Sequence, residues 1–119
     1  MSGHRRLEVS KVGDVTVVRF IDRRILDHAN IEQIGKELFE LVEDDGCKKL
    51  LLNFSDVEFF SSAALGRLVK LEKTLKKKGG SLVLSNIRPT IYDAFNITQL
   101  YKVFDIKEDE AEALAALAS

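Results

Sequence analysis

The chain is poor in the side chains from which most reactive sites are built. Its one cysteine, Cys47, excludes an internal disulfide and most sulfur-based metal sites. The two histidines, His4 and His28, stand far apart in sequence and leave little from which to assemble a Ser/His/Asp set or a zinc centre. No apolar run exceeds a few residues, against the roughly 20 that a membrane-spanning helix needs. The first residues, Met1-Ser2-Gly3-His4-Arg5-Arg6, have no apolar stretch behind them to serve as a signal peptide, so a cytoplasmic protein is expected. A formal net charge of −1 offers no global attraction to nucleic acid or to an anionic membrane. There is no glycine-rich phosphate fingerprint either, because Gly79-Gly80 precedes a strand rather than a helix.

What is present suits one packed domain. At 119 residues and 45% hydrophobic content, residues 1–119 can bury a real core and leave little room for a second domain. Leu7 to Val12 and Val15 to Ile21 are roughly alternating, β-branched runs joined by Gly13-Asp14, the pattern of a tight hairpin. From Ile31 the period becomes helical, with Ile31, Ile34, Leu38, Leu41 and Val42 on one stripe. Asn30 with Gln33 forms a capping pair, Asp27 is a rival start, and Gly46 after Asp44-Asp45 reads as the stop.

Leu50, Leu51, Leu52 and Phe54 lack clean alternation, as in a central strand buried on both faces. A helix from about Ser62 to Lys78 follows, with Leu65, Leu68, Leu71 and Leu75 inside, and Gly79-Gly80 ends it. Ser81 to Ser85 is a further strand. Pro89 opens a helix whose inner side is Ile91, Ala94 and Phe95, Val103 to Ile106 is a last strand, and Glu108 to Leu117 a terminal helix. That terminal helix either covers the sheet or mediates self-association. The order β-β-α-β-α-β-α-β-α predicts an α/β fold: a mixed sheet of about five strands covered by about four helices.

The segment Phe59-Phe60-Ser61-Ser62-Ala63-Ala64-Leu65-Gly66 carries the most information. It places two adjacent hydroxyls at a strand-to-helix junction, where backbone N–H groups point outward and the helix dipole favours negative charge. Ser62 there is a helix cap, a site for a phosphoryl group, or both in turn. Asp56 and Glu58 precede it, but no nucleophile–base pair accompanies these carboxylates, so they read as loop charges rather than an acid/base couple. Phe59 and Phe60 suit core or rim packing, with Phe60 the better partner contact. Arg67, Lys70, Lys73 and Lys77 form a basic stripe opposite the leucines, read as a solvated face.

At this segment the chain resembles the STAS family, named for sulfate transporters and anti-sigma factor antagonists. That family carries a strand, then Phe-hydrophobic-Asp-Ser-Ser/Thr-Gly-Leu-Gly, then a helix. Anchoring on Phe59 or on Leu65-Gly66 puts the family's phosphorylated serine on Ser62. Leu26-Asp27, Asn53-Phe54-Ser55-Asp56-Val57, Gly79 to Leu84, Arg88-Pro89 and Phe95 to Phe104 extend the resemblance over nearly the whole chain. The chain departs from the pattern at Ser61, where the family has an acidic residue, and at Ala63 and Ala64, which leaves Ser61 as an alternative acceptor.

The resemblance implies an anti-sigma factor antagonist that works by partner switching, with neither catalysis nor a cofactor of its own. Unphosphorylated, such a domain binds an anti-sigma factor that is often also a GHKL-type serine kinase. Phosphorylation breaks the complex and a separate serine phosphatase restores it. The implied binding surface comprises Asp27, Asp56, Glu58, Phe60, Ser61 and Ser62, on a monomer or weak dimer that neither binds nucleic acid nor inserts into a membrane. The alternative within the resemblance is a non-switching scaffold of a stress-signalling complex, or a transporter-associated subunit, in which Ser62 only caps.

Overall fold

The β-branched runs at the amino terminus pair as expected. In the computed structural model, which describes residues 6–44 and 46–118, β1 (Leu7–Val12) and β2 (Val15–Phe20) are antiparallel, from Leu7 opposite Phe20 to Val12 opposite Val15. The two-residue turn is Gly13-Asp14, and Gly13 takes φ +62°, which the mirror-image hairpin turns require. Of the first six residues, for which no signal peptide is expected, Met1 to Arg5 lie outside the described residues, His4 among them, as do Asp45 and Ser119.

Three parallel strands extend the hairpin: β4 (Lys49–Asn53), β6 (Ser81–Ser85) and β7 (Asp105–Lys107), in the order β1-β2-β4-β6-β7. The chain returns between them through α1 (His28–Glu43), α2 (Ser62–Lys77) and α3 (Pro89–Ile97). Alternation then sorts the strand side chains. Val18, Phe20, Leu50, Leu52, Leu82 and Leu84 meet the buried stripes of these three helices, while Val15, Val17, Leu51 and Val83 meet Ala113 and Leu117 of α4 (Glu110–Ala118). β4 is thus buried on both faces, which is why its sequence does not alternate. The result is the five-stranded mixed sheet with four helices that the pattern predicts.

Several boundaries differ from the sequence reading, each for a local reason. Asp27, not Asn30, caps α1: its carboxylate accepts the Asn30 N–H at 3.3 Å and its carbonyl the Ile31 N–H at 2.9 Å. Gln33 instead donates to the fully buried Glu37, whose carboxyl oxygens both accept the Arg6 N–H at 3.2 Å and tie the start of the hairpin to α1. The last strand begins at Asp105 because Leu100–Lys102 forms a 3₁₀ turn, and the N–H groups of Val103 and Phe104 both return to the Leu100 carbonyl. Phe104 is thereby spent on an edge-to-face contact with Phe95, centroids 5.7 Å apart. The terminal helix starts at Glu110, after Asp109 accepts the Glu112 N–H at 2.9 Å. Two further strands, β3 (Arg24–Ile25) and β5 (Phe59–Phe60), form a small parallel pair of their own.

Candidate functional site

This small pair builds the site. After β4, Phe54 turns inward and Val57 is completely buried, anchoring the loop at both ends of a 2.9 Å backbone hydrogen bond. The N–H groups of Glu58 and Phe59 then both donate to the Arg23 carbonyl, at 2.8 and 3.0 Å. Arg24 lies opposite Phe59 and Ile25 opposite Phe60. Two residues beyond that last pair the chain has reached Asp27, the cap of α1, on one side and Ser62, the first residue of α2, on the other. Each short strand runs directly into a helix, so the amino-terminal ends of α1 and α2 lie side by side with their positive dipole ends at one end of the molecule.

The two hydroxyls divide their work. Ser61, half-buried, donates its N–H to the Ile25 carbonyl at 3.0 Å and keeps an extended backbone, φ −78° and ψ 165°. Its Oγ accepts the Ala64 N–H at 3.2 Å, and its carbonyl accepts that of Leu65 at 3.0 Å. The cap of α2 is therefore Ser61 and not Ser62, a correction to the sequence reading. Strand pairing holds Ser61 in the extended conformation that a cap needs, and the helix begins one residue later. Ser62 is the first helical residue, is exposed, and has no hydrogen bond from its hydroxyl among the described residues. One turn on, Gly66 faces open space, so the surface beside Ser62 is bare backbone.

Asp27 and Asp56 are exposed, and Glu58 is half-exposed, 3.8 Å from Arg23. The two phenylalanines part company because neighbours on a strand point to opposite faces. Phe60, the expected partner contact, packs edge-on against Phe54 and Phe20 with centroids 5.3 and 6.1 Å away. Phe59 is 46% exposed, with the Arg24 guanidinium 4.9 Å above its ring, and Leu26 is 44% exposed beside Asp27. The exposed apolar groups of this rim are thus Phe59 and Leu26, which the sequence reading did not select. Alternation in Phe59-Phe60 signals that one of them faces out, and tertiary packing decides which.

In the basic stripe, Lys70, Lys73 and Lys77 are exposed, whereas Arg67 is ion-paired with Glu32 and bridges α2 to α1. Among the described residues no three His, Cys, Asp or Glu side chains cluster as metal ligands would. No described helix is long and apolar enough to cross a membrane.

The family model described as STAS domain matches residues 6–113. The anti-sigma F factor antagonist of Paenibacillus polymyxa is 23% identical over 112 residues, 94% of this chain and 94% of that protein. The anti-sigma-B factor antagonist of Bacillus subtilis is 35% identical over 73 residues, 61% of this chain and 65% of that protein. An anti-sigma-factor antagonist (STAS) domain protein from Planctomyces limnophilus superposes with a TM-score of 0.82 at 26% identity, covering 93% of this chain and 96% of that one.

Proposed function

Because this chain belongs to the STAS domain family, we propose that it is an anti-sigma factor antagonist, a single cytoplasmic domain spanning 1–119 whose partner binding is switched by phosphorylation of Ser62. Its relatives named as such antagonists support the general role. The observation that carries the switch is the separation of the two serines: Ser61 holds the helix and Ser62 is free to be modified. A phosphate there adds about −1.5 to −2 charges and three strong acceptors. Neither α1 nor α2 has an acidic residue in its first turn, and both dipoles favour an anion at this end. The fold therefore tolerates the group, while a partner resting on Asp27, Phe59 and Leu26 meets bulk and negative charge.

The departure at Ser61 fits the same scheme. Asp and Ser are about equally good caps, so a serine in the family's acidic position keeps the helix start intact. Ala63 and Ala64 are strong helix formers in the first turn. A GHKL-type serine kinase that is also the anti-sigma factor would supply the phosphate, and a serine phosphatase would remove it. The test is intact mass and peptide mapping of the protein recovered from its native cells across growth conditions. Phosphate on Ser62 in some of them is the expected result. Consistent absence, with Ser62→Asp binding its partner as tightly as the parent, would leave the scaffold or transporter-associated role instead.

A further inference from the structure

An open groove of about 690 Å³ runs between α1 and α2, starting at Ala29 in the first turn of α1. Gly35, in the middle of α1, forms its floor. Glycine is among the poorest helix formers, so its presence there calls for a reason. Packing does not supply one: the three atoms nearest to a Cβ at this position all belong to the Arg67 side chain, at 3.6 to 3.9 Å, ordinary contacts that alanine would satisfy. Without a side chain there, the glycine leaves the middle of the groove open. Lys36 and Lys70 stand on its two walls, both exposed and neither in an ion pair among the described residues. Glu32 is already engaged by Arg67 and lies 3.8 Å from His28, so the groove carries surplus positive charge. Half-buried Phe39 adds an apolar flank.

We propose that this groove docks an acidic amphipathic segment of the protein partner, its carboxylates on Lys36 and Lys70 and its apolar side over Gly35 and Phe39. The inference rests on the reading of the adjoining helix ends as a partner surface, and it extends that surface along the helices. A concave channel suits one peptide element, and Glu32 at its edge together with a net charge of −1 disfavours a polyanionic strand or a flat anionic bilayer.

The probe is a synthetic helical peptide with Glu and Leu along one face, titrated into the ¹⁵N-labelled full chain and followed by amide shifts. Shifts should concentrate at Gly35, Lys36, Phe39 and Lys70. Combining Lys36→Glu with Lys70→Glu, or replacing the peptide's Glu by Gln, should weaken binding at least tenfold. Gly35→Ala should weaken it severalfold while leaving the melting temperature equal or higher, which separates docking from folding. No binding at millimolar peptide, shifts elsewhere, indifference to the charge reversals, or tighter binding to phosphatidylglycerol vesicles or single-stranded RNA would overturn the proposal. Docking by this peptide with Ser62 never modified in cells would remove only the switch. Phosphate on Ser62 without docking would remove only the groove.

Discussion

Removing each serine hydroxyl in turn separates the roles assigned to them. In Ser61→Ala the Ala64 N–H loses its acceptor at the start of a 16-residue helix, and losing such a cap costs about 1 kcal/mol, within a range of roughly 0.5–2. Unfolding entropy of about 2.1 cal/mol/K per residue, over 119 residues, makes each kcal/mol worth about 4 °C in melting temperature. Ser61→Ala should therefore melt about 2–8 °C below the parent. Ser62→Ala touches an exposed hydroxyl without a hydrogen-bond partner among the described residues and improves helix propensity, so it should stay within about 0.5 kcal/mol, or about 2 °C. Ser61→Asp retains both an acceptor and a favourable charge at the dipole and should match the parent within the same margin. Thermal melts by circular dichroism, checked by urea unfolding, read all three. Equal losses in Ser61→Ala and Ser62→Ala, or a loss in Ser61→Asp as large as that in Ser61→Ala, would refute the division of labour.

Two other sites give sharp expectations. Glu37→Ala leaves the Arg6 N–H without its acceptor inside the protein and should cost about 1–3 kcal/mol by urea unfolding, with Glu37→Gln losing less because an acceptor remains. The hydrogen bond and charge of the Lys49 ammonium, 3.1 Å away, hold the exposed Asp14 carboxyl below the ordinary aspartate value of 3.8. A depressed folded value means that the pair's contribution is present above the unfolded pKa and is lost as pH falls through the folded one. A ¹³C NMR titration should therefore find the Asp14 midpoint below 3.8 and see it rise in Lys49→Gln; an unchanged midpoint in that variant would remove the assigned cause.

Most of the architecture was legible because it follows from periodicity. The stripe Ile31, Ile34, Leu38, Leu41 and the run Leu50-Leu51-Leu52 report helix and central strand wherever they occur, since burial on one face or on two leaves its mark residue by residue. The short elements were not legible. Arg24–Ile25 and Phe59–Phe60 have no periodicity to show, and they become strands only by pairing with each other across more than thirty intervening residues. The same pairing decided the helix caps, choosing Asp27 over Asn30 and Ser61 over Ser62, because it fixes where the extended backbone ends.

The sequence by itself determined that an α/β chain with little reactive chemistry carries two serines at a strand-to-helix junction, and its motif order identified the family. Only the tertiary structure decided which serine holds the helix and which is exposed, that Phe59 is the more exposed of the two phenylalanines while Phe60 is partly buried, and that Gly35 lies beneath a basic groove. Those outcomes depend on contacts between segments distant in the chain, where local propensity is nearly indifferent and a single backbone pairing or a neighbouring helix tips the balance.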